Sequence, residues 1–182
     1  MATPPDFAVG QVLTAQMMDA VAMWLIDGGT YTAADPIAIT ECFSSDFTHY
    51  RVVGSLYGSN SSQGLALNFY TGTNTLDNAA NYNRFGYRWD SAAIASGNST
   101  GQTSFVFTET SSTSTQLSSF VLDIFNPNEA VRTKIMARSF AHSAIMYEYN
   151  LDKANTSLFT GFQLDAAAGS LTGSVLVYGL RN

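Results

Sequence analysis

Cys42 is the only cysteine in the 182-residue chain, which excludes an intrachain disulfide and any zinc site built from cysteines. Charge is scarce as well. Asp, Glu, Lys and Arg make up 12% of residues, about half the usual share. Cations are the scarcer kind, 8 against 14 carboxylates, giving a net charge of −6 and a pI near 4.6. That balance argues against nucleic acid or an anionic membrane as the main partner, because both select a basic surface. The deficit is also local: no Lys or Arg precedes Arg51, whereas Asp6, Asp19, Asp27, Asp35, Glu41 and Asp46 do, so the first fifty residues hold the whole acidic surplus. The longest apolar run, Ala20 to Ile26, has seven residues. It is far too short to cross a bilayer, and no basic, apolar secretory leader is legible, so membrane insertion is not expected.

What the chain does have is apolar bulk and neutral polarity. Hydrophobic residues make up 46% and aromatics 13%, enough for a sizeable core in one domain of this length. Its wet surface comes from 20 Ser, 19 Thr and 12 Asn rather than from charge. Thr-rich, neutral surfaces are characteristic of extended β proteins.

Two regions follow from the patterning. Residues 1–29 read as an N-terminal arm and an apolar docking helix. Pro4 and Pro5 keep the first stretch extended, and Thr14 offers a helix cap with Leu13 and Met18 as a hydrophobic staple. Met17, Met18, Val21, Met23, Trp24 and Leu25 give the helix an apolar face almost all round, and Gly28-Gly29 is expected to stop it. Such a helix must be buried, either under its own domain or in a partner. Residues 30–182 read as a β-sandwich. Period-two alternation predicts strands at 37–42, 47–57, 64–71, 81–90, 103–110, 116–126, 133–140, 143–150, 157–164 and 173–180. Turn-forming clusters such as Ser96-Gly97-Asn98 and Asn126-Pro127-Asn128 separate them. The fold class expected is mainly β: an antiparallel, jelly-roll-like β-sandwich preceded by an extended arm and one short α-helix.

A search for catalytic chemistry finds no nucleophile elbow, phosphate loop, zinc-protease helix or dinucleotide fingerprint. Two histidines, His49 and His142, are too few for most His-based metal sites. The reading is therefore no catalytic residues, no metal and no cofactor. Alternation sets His49 on the face opposite Tyr50 and Val52, and Cys42 reads as a small buried hydrophobe. The 71–81 loop lacks the ligand order of a calcium loop. Aromatics are the stronger signal: Tyr82, Phe85, Tyr87 and Trp89 crowd one segment with Arg84 and Arg88 between them. Tyr82, Arg84, Tyr87 and Trp89 form a candidate glycan platform, because rings beside Arg can stack on sugar faces. Core filling or intersubunit packing uses the same residue types.

Several segments together carry a resemblance. Phe7-Ala8-Val9-Gly10-Gln11-Val12-Leu13-Thr14-Ala15, Phe47 to Ser55, Leu67-Asn68-Phe69, Asn81 to Tyr87 and the Gly173 to Leu180 terminus resemble, in order and spacing, segments of tailed-bacteriophage tail-fibre and appendage proteins. The resemblance implies a non-enzymatic virion structural protein, commonly a homotrimer, contacting neighbouring virion proteins on a tail or capsid surface, with host-surface glycan binding in some members. The absence of a long fibrous stretch in these residues favours a compact adaptor, appendage or capsid-decoration subunit. On this reading Phe7, Leu13, Met17, Met18, Val21, Trp24 and Leu25 form the assembly interface. Deleting residues 1–29 is then expected to leave a folded sandwich that fails to join particles.

Overall fold

The computed structural model describes residues 23–90, 93–141 and 144–180. Fourteen strands lie among them. They are β1 (Met23–Ala34), β2 (Ile37–Ile39), β3 (His49–Gly58), β4 (Gly64–Gly72), β5 (Thr75–Leu76), β6 (Tyr82–Trp89) and β7 (Ile94–Ser96). The chain continues through β8 (Ser99–Gln102), β9 (Phe105–Glu109), β10 (Ser118–Phe125), β11 (Lys134–Ala141), β12 (Ile145–Lys153), β13 (Gly161–Ala166) and β14 (Leu171–Leu180). A large sheet runs in the order β1-β14-β3-β10-β11-β12-β6-β7, with β8 also on β6. A smaller sheet runs β2-β13-β4-β5, with β9 also on β4. Neighbours are antiparallel throughout.

Alternation builds the sandwich. Tyr50, Val52 and Leu56 of β3, Phe120, Leu122 and Ile124 of β10, and Val175 and Val177 of β14 turn inward. They join Leu65, Leu67 and Phe69 of β4 and Phe162 and Leu164 of β13 in one core. Aromatic contacts tie the two sheets together. Phe107 of β9 meets Phe120 of β10 edge-on at 5.1 Å, and Phe43 contacts both Tyr50 and Phe162 at 4.7 and 5.9 Å. Each such pair contributes about 0.5–1.5 kcal/mol beyond the apolar area it buries. The strands expected from period two are all present, with ends shifted by a few residues. The 157–164 strand begins only at Gly161.

One expectation is corrected. Met23 to Gly29, read as the end of a helix and its glycine stop, belong to β1. The expected helix start, with Phe7, Leu13, Met17, Met18 and Val21, lies outside the described residues. β14 offers a complete partner edge, and β1 pairs with it from Met23↔Leu180 to Ala34↔Leu171. Gly28 is not a helix stop. Its φ is +129°, and a Cβ there would run into the Val175 carbonyl oxygen, so the close strand approach needs glycine. β1 also runs through residue 29 without a break.

Removing residues 1–29 therefore takes away most of the β1 ladder and leaves β14 as a bare edge. The truncated protein is expected to unfold at lower urea than the full chain and to aggregate more readily. An equal urea midpoint would show that β1 adds nothing to the sandwich.

Candidate binding face

The core side of the large sheet is closed, so its other face carries whatever chemistry the sheet presents. Register is unbroken from β14 through β3, β10, β11 and β12 to β6. Outward side chains therefore align in rows across strands. One row reads Tyr178, Arg51, Asp123, Met136, Asn150, Phe85, and the next reads Leu176, Val53, Val121, Arg138, Glu148, Tyr87. A third reads Ser174, Ser55, Ser119, Phe140, Met146, Trp89.

These rows mix apolar and charged groups in a defined order. Met136, Phe140 and Tyr87 are 50%, 61% and 54% exposed. Arg51 donates from Nε and Nη2 to the two oxygens of Asp123 at 2.8 and 3.1 Å, a bidentate fork. The same bond keeps the Arg51 guanidinium pKa above its ordinary value. His49 lies 3.3 Å from Asp123 and stacks on Phe125 at 4.3 Å. Arg138 donates to Glu148 at 3.0 Å, and Lys134 and Arg132 share Asp152 at 2.6 and 3.0 Å. Exposed pairs of this kind add little stability. They set each guanidinium beside the carboxylate of the neighbouring strand. Between Arg51, Arg138, Phe140 and Leu176, the short side chains of Ser55, Ser119 and Ser174 leave a low floor over Gly54. The result is an open groove of about 600 Å³, within the size range of small-ligand sites.

The four candidate platform residues are split by the strand. Tyr87 and Trp89 face outward with their rings 5.8 Å apart, at the end of the rows that pass the groove. Tyr82 is fully buried: its hydroxyl accepts from the Phe69 N–H at 2.9 Å. Arg84 turns inward, donating to the carbonyls of Gly97 and Val106 at 2.7 Å and lying 4.6 Å over the Tyr149 ring. Tyr82 and Arg84 are thus core and positioning groups, for the reason that even-numbered residues of β6 share the inner face. Of the candidate assembly residues, Leu25 is 61% exposed on β1 and Trp24 is half-buried. The groove residues on β3, β10, β11 and β14 escaped the sequence reading. Alternation marks each as outward, but only the register places them side by side.

Among the described residues, no group of three or more His, Cys, Asp or Glu is placed to hold a metal ion, and no helix is long and apolar enough to cross a membrane. Cys42 is 3% exposed, and burial pushes its thiol pKa far up. The native protein is expected to resist a thiol reagent at pH 8 and to react once unfolded by guanidinium. Rapid native labelling would place Cys42 at the surface.

No family model matches the chain, and no curated protein matches it. Among solved structures, a galectin from Caenorhabditis elegans is similar over 86% of this chain and 95% of that chain, at 11% identity and a TM-score of 0.34.

Proposed function

We propose that this chain is a binding module that takes a glycan in the groove on the outer face of its large sheet. The observation that carries the reading is the groove itself: the guanidinium groups of Arg51 and Arg138, each paired with a carboxylate, beside Phe140, Val53 and Leu176, over a floor of serines. A sugar ring presents an apolar C–H face and a rim of hydroxyls. Apolar side chains cover the first, while pre-positioned polar side chains bond the second. Arg51 and Arg138 each spend Nε and Nη2 on a carboxylate, which keeps Nη1 for another acceptor. Binding rather than turnover suits this face, since Asp123, Glu148 and Asp152 are each tied to a cation. A glycosidase instead needs two carboxylates facing across the substrate. In keeping with the resemblance to tailed-phage appendage proteins, the module belongs on a virion surface, where the groove meets host glycans.

Purified protein is expected to give selective signals on a glycan array. Arg138→Ala and Phe140→Ala, both at exposed positions, should weaken binding by about ten- to a hundred-fold in calorimetry while leaving the melting temperature unchanged. A silent array with folded protein, or full affinity in both variants, rejects the reading.

A second reading, assembly with copies of itself and with neighbouring virion proteins, is favoured by the exposure of Met23 and Leu25 on β1 at the edge of the sheet. Leu25→Asp should shift a sedimenting trimer to monomer. A wild-type protein that sediments as a monomer at all concentrations rejects it.

A further inference from the structure

A fully buried lysine lies away from the groove. Lys153 closes β12, and its side chain is completely buried. It is the register partner of Tyr82, the last pair of the β6–β12 ladder. One step further, the Ala154 N–H donates to the carbonyl of Asn81 at 2.9 Å, which fixes Asn81 and Lys153 against one another through the backbone. From there the Lys153 Nζ donates to the amide oxygen of Asn81, lies 3.0 Å from Oδ2 of Asp77 and sits 3.4 Å over the Tyr82 ring. Asp77, 8% exposed at its side chain, also accepts from the Ala79 N–H at 3.0 Å and from Asn155 Nδ2 at 3.1 Å. Phe69 and Phe159 stack at 4.5 Å beside this cluster, and Phe69 also stacks on Tyr82.

A lone lysine–aspartate pair is a costly way to fill such a place, since desolvation offsets most of its attraction. The third member gives the cluster another meaning. An amine, an amide carbonyl and a carboxylate in hydrogen-bond contact, walled by rings, are the components of amide exchange. We propose that Lys153 and Asn81 become joined by an isopeptide bond between Nζ and Cγ, formed by the chain itself with Asp77 carrying the protons.

The step balances without any co-reactant. Asp77 first takes a proton from the Lys153 ammonium across their 3.0 Å contact, leaving a neutral amine and a carboxylic acid. The Nζ lone pair attacks Asn81 Cγ, while the Asp77 acid hydrogen-bonds the developing oxyanion. Asp77 then passes a proton to the departing nitrogen. The Cγ–Nδ2 bond breaks with its electron pair going to the departing nitrogen. Of the two protons left on Nζ, one passes to the ammonia, which leaves as ammonium, and the other stays as the N–H of the new amide. Burial pushes the Lys153 pKa down, which favours the neutral amine. Burial also acts to raise the Asp77 pKa, but the bonds from Ala79, Lys153 and Asn155 outweigh it and hold the carboxyl below its usual range. The ion pair is thus the resting state, and proton transfer within it opens the reaction. The product links the entry of β6 to the exit of β12 across a sequence separation of 72.

Intact-mass measurement of the purified full chain tests this directly. The expected mass is lower than the sequence mass by one ammonia, with a digest yielding a branched peptide that joins Asn81 to an uncleaved Lys153. Lys153→Arg and Asn81→Ala should both restore the full sequence mass. Asn81→Asp should instead lose one water and arrive at the same cross-linked mass as the wild type. Asp77→Ala should leave the bond unformed in protein that is folded by circular dichroism. Should that variant fail to fold, the wild-type mass and branched peptide decide the question alone. An unaltered wild-type mass in folded protein overturns the proposal. So does an ammonia loss that persists in Lys153→Arg, which would mark a succinimide at Asn81. A loss of water with the link on Asp77 overturns the assignment to Asn81.

Discussion

The antiparallel register across β14, β3, β10, β11, β12 and β6 is the constraint on which the rest of this molecule depends. It runs through six strands without a bulge. Side chains repeat every two residues, so a slip of one residue in any ladder would turn Tyr50, Leu122 and Ile135 outward and bring Arg51, Asp123 and Met136 inside. The core forbids that exchange. In excluding it, the core also sets the order of the outward rows, and so the groove and its paired guanidinium groups arise as a consequence of how the interior packs.

Scarcity of cations shapes where each one goes. Arg51, Arg132, Lys134 and Arg138 sit on the outer side of the large sheet, and each meets a carboxylate there. Arg84 and Arg88 lie over the rings of Tyr149 and Tyr147, and Lys153 over Tyr82. The acids before Arg51 are served differently, since no cation is near in sequence. Asp27 accepts from the Gly28 N–H, Glu41 from the Thr73 hydroxyl and Asp46 from the Ser44 hydroxyl. Neutral donors thus stand in for salt bridges. This suits a surface whose polarity comes from Ser, Thr and Asn.

Strand edges show where local pattern and tertiary demand part. The β1 segment Met23–Leu25 is apolar at every position, which period analysis assigns to a buried helix. In the structure it lies at a sheet edge, where Met23 and Leu25 point outward. The short strands β5, β7 and β8 have few buried side chains, so they leave no alternation to read. Within β6, by contrast, the signal was present. Even-numbered Tyr82 and Arg84 go in and odd-numbered Phe85, Tyr87 and Trp89 go out. Counting by two separates core aromatics from surface ones even though all crowd one segment.

Sequence alone determined the β-sandwich class, the strands from Ile37 to Leu180 other than β5, β7 and β8, the buried state of Cys42 and the outward placement of His49. Each of these follows from a local period of two imposed by one wet and one dry face. Tertiary structure decided whatever requires two distant segments to meet. β14 makes a strand of Met23–Ala34, and the β3–β10 and β10–β11 ladders bring Arg51, Asp123, Arg138 and Phe140 around one groove. Lys153 reaches Asn81 and Asp77 only because β12 ends where β6 begins. Alternation states which way a side chain points, whereas the hydrogen-bond register states what it points beside.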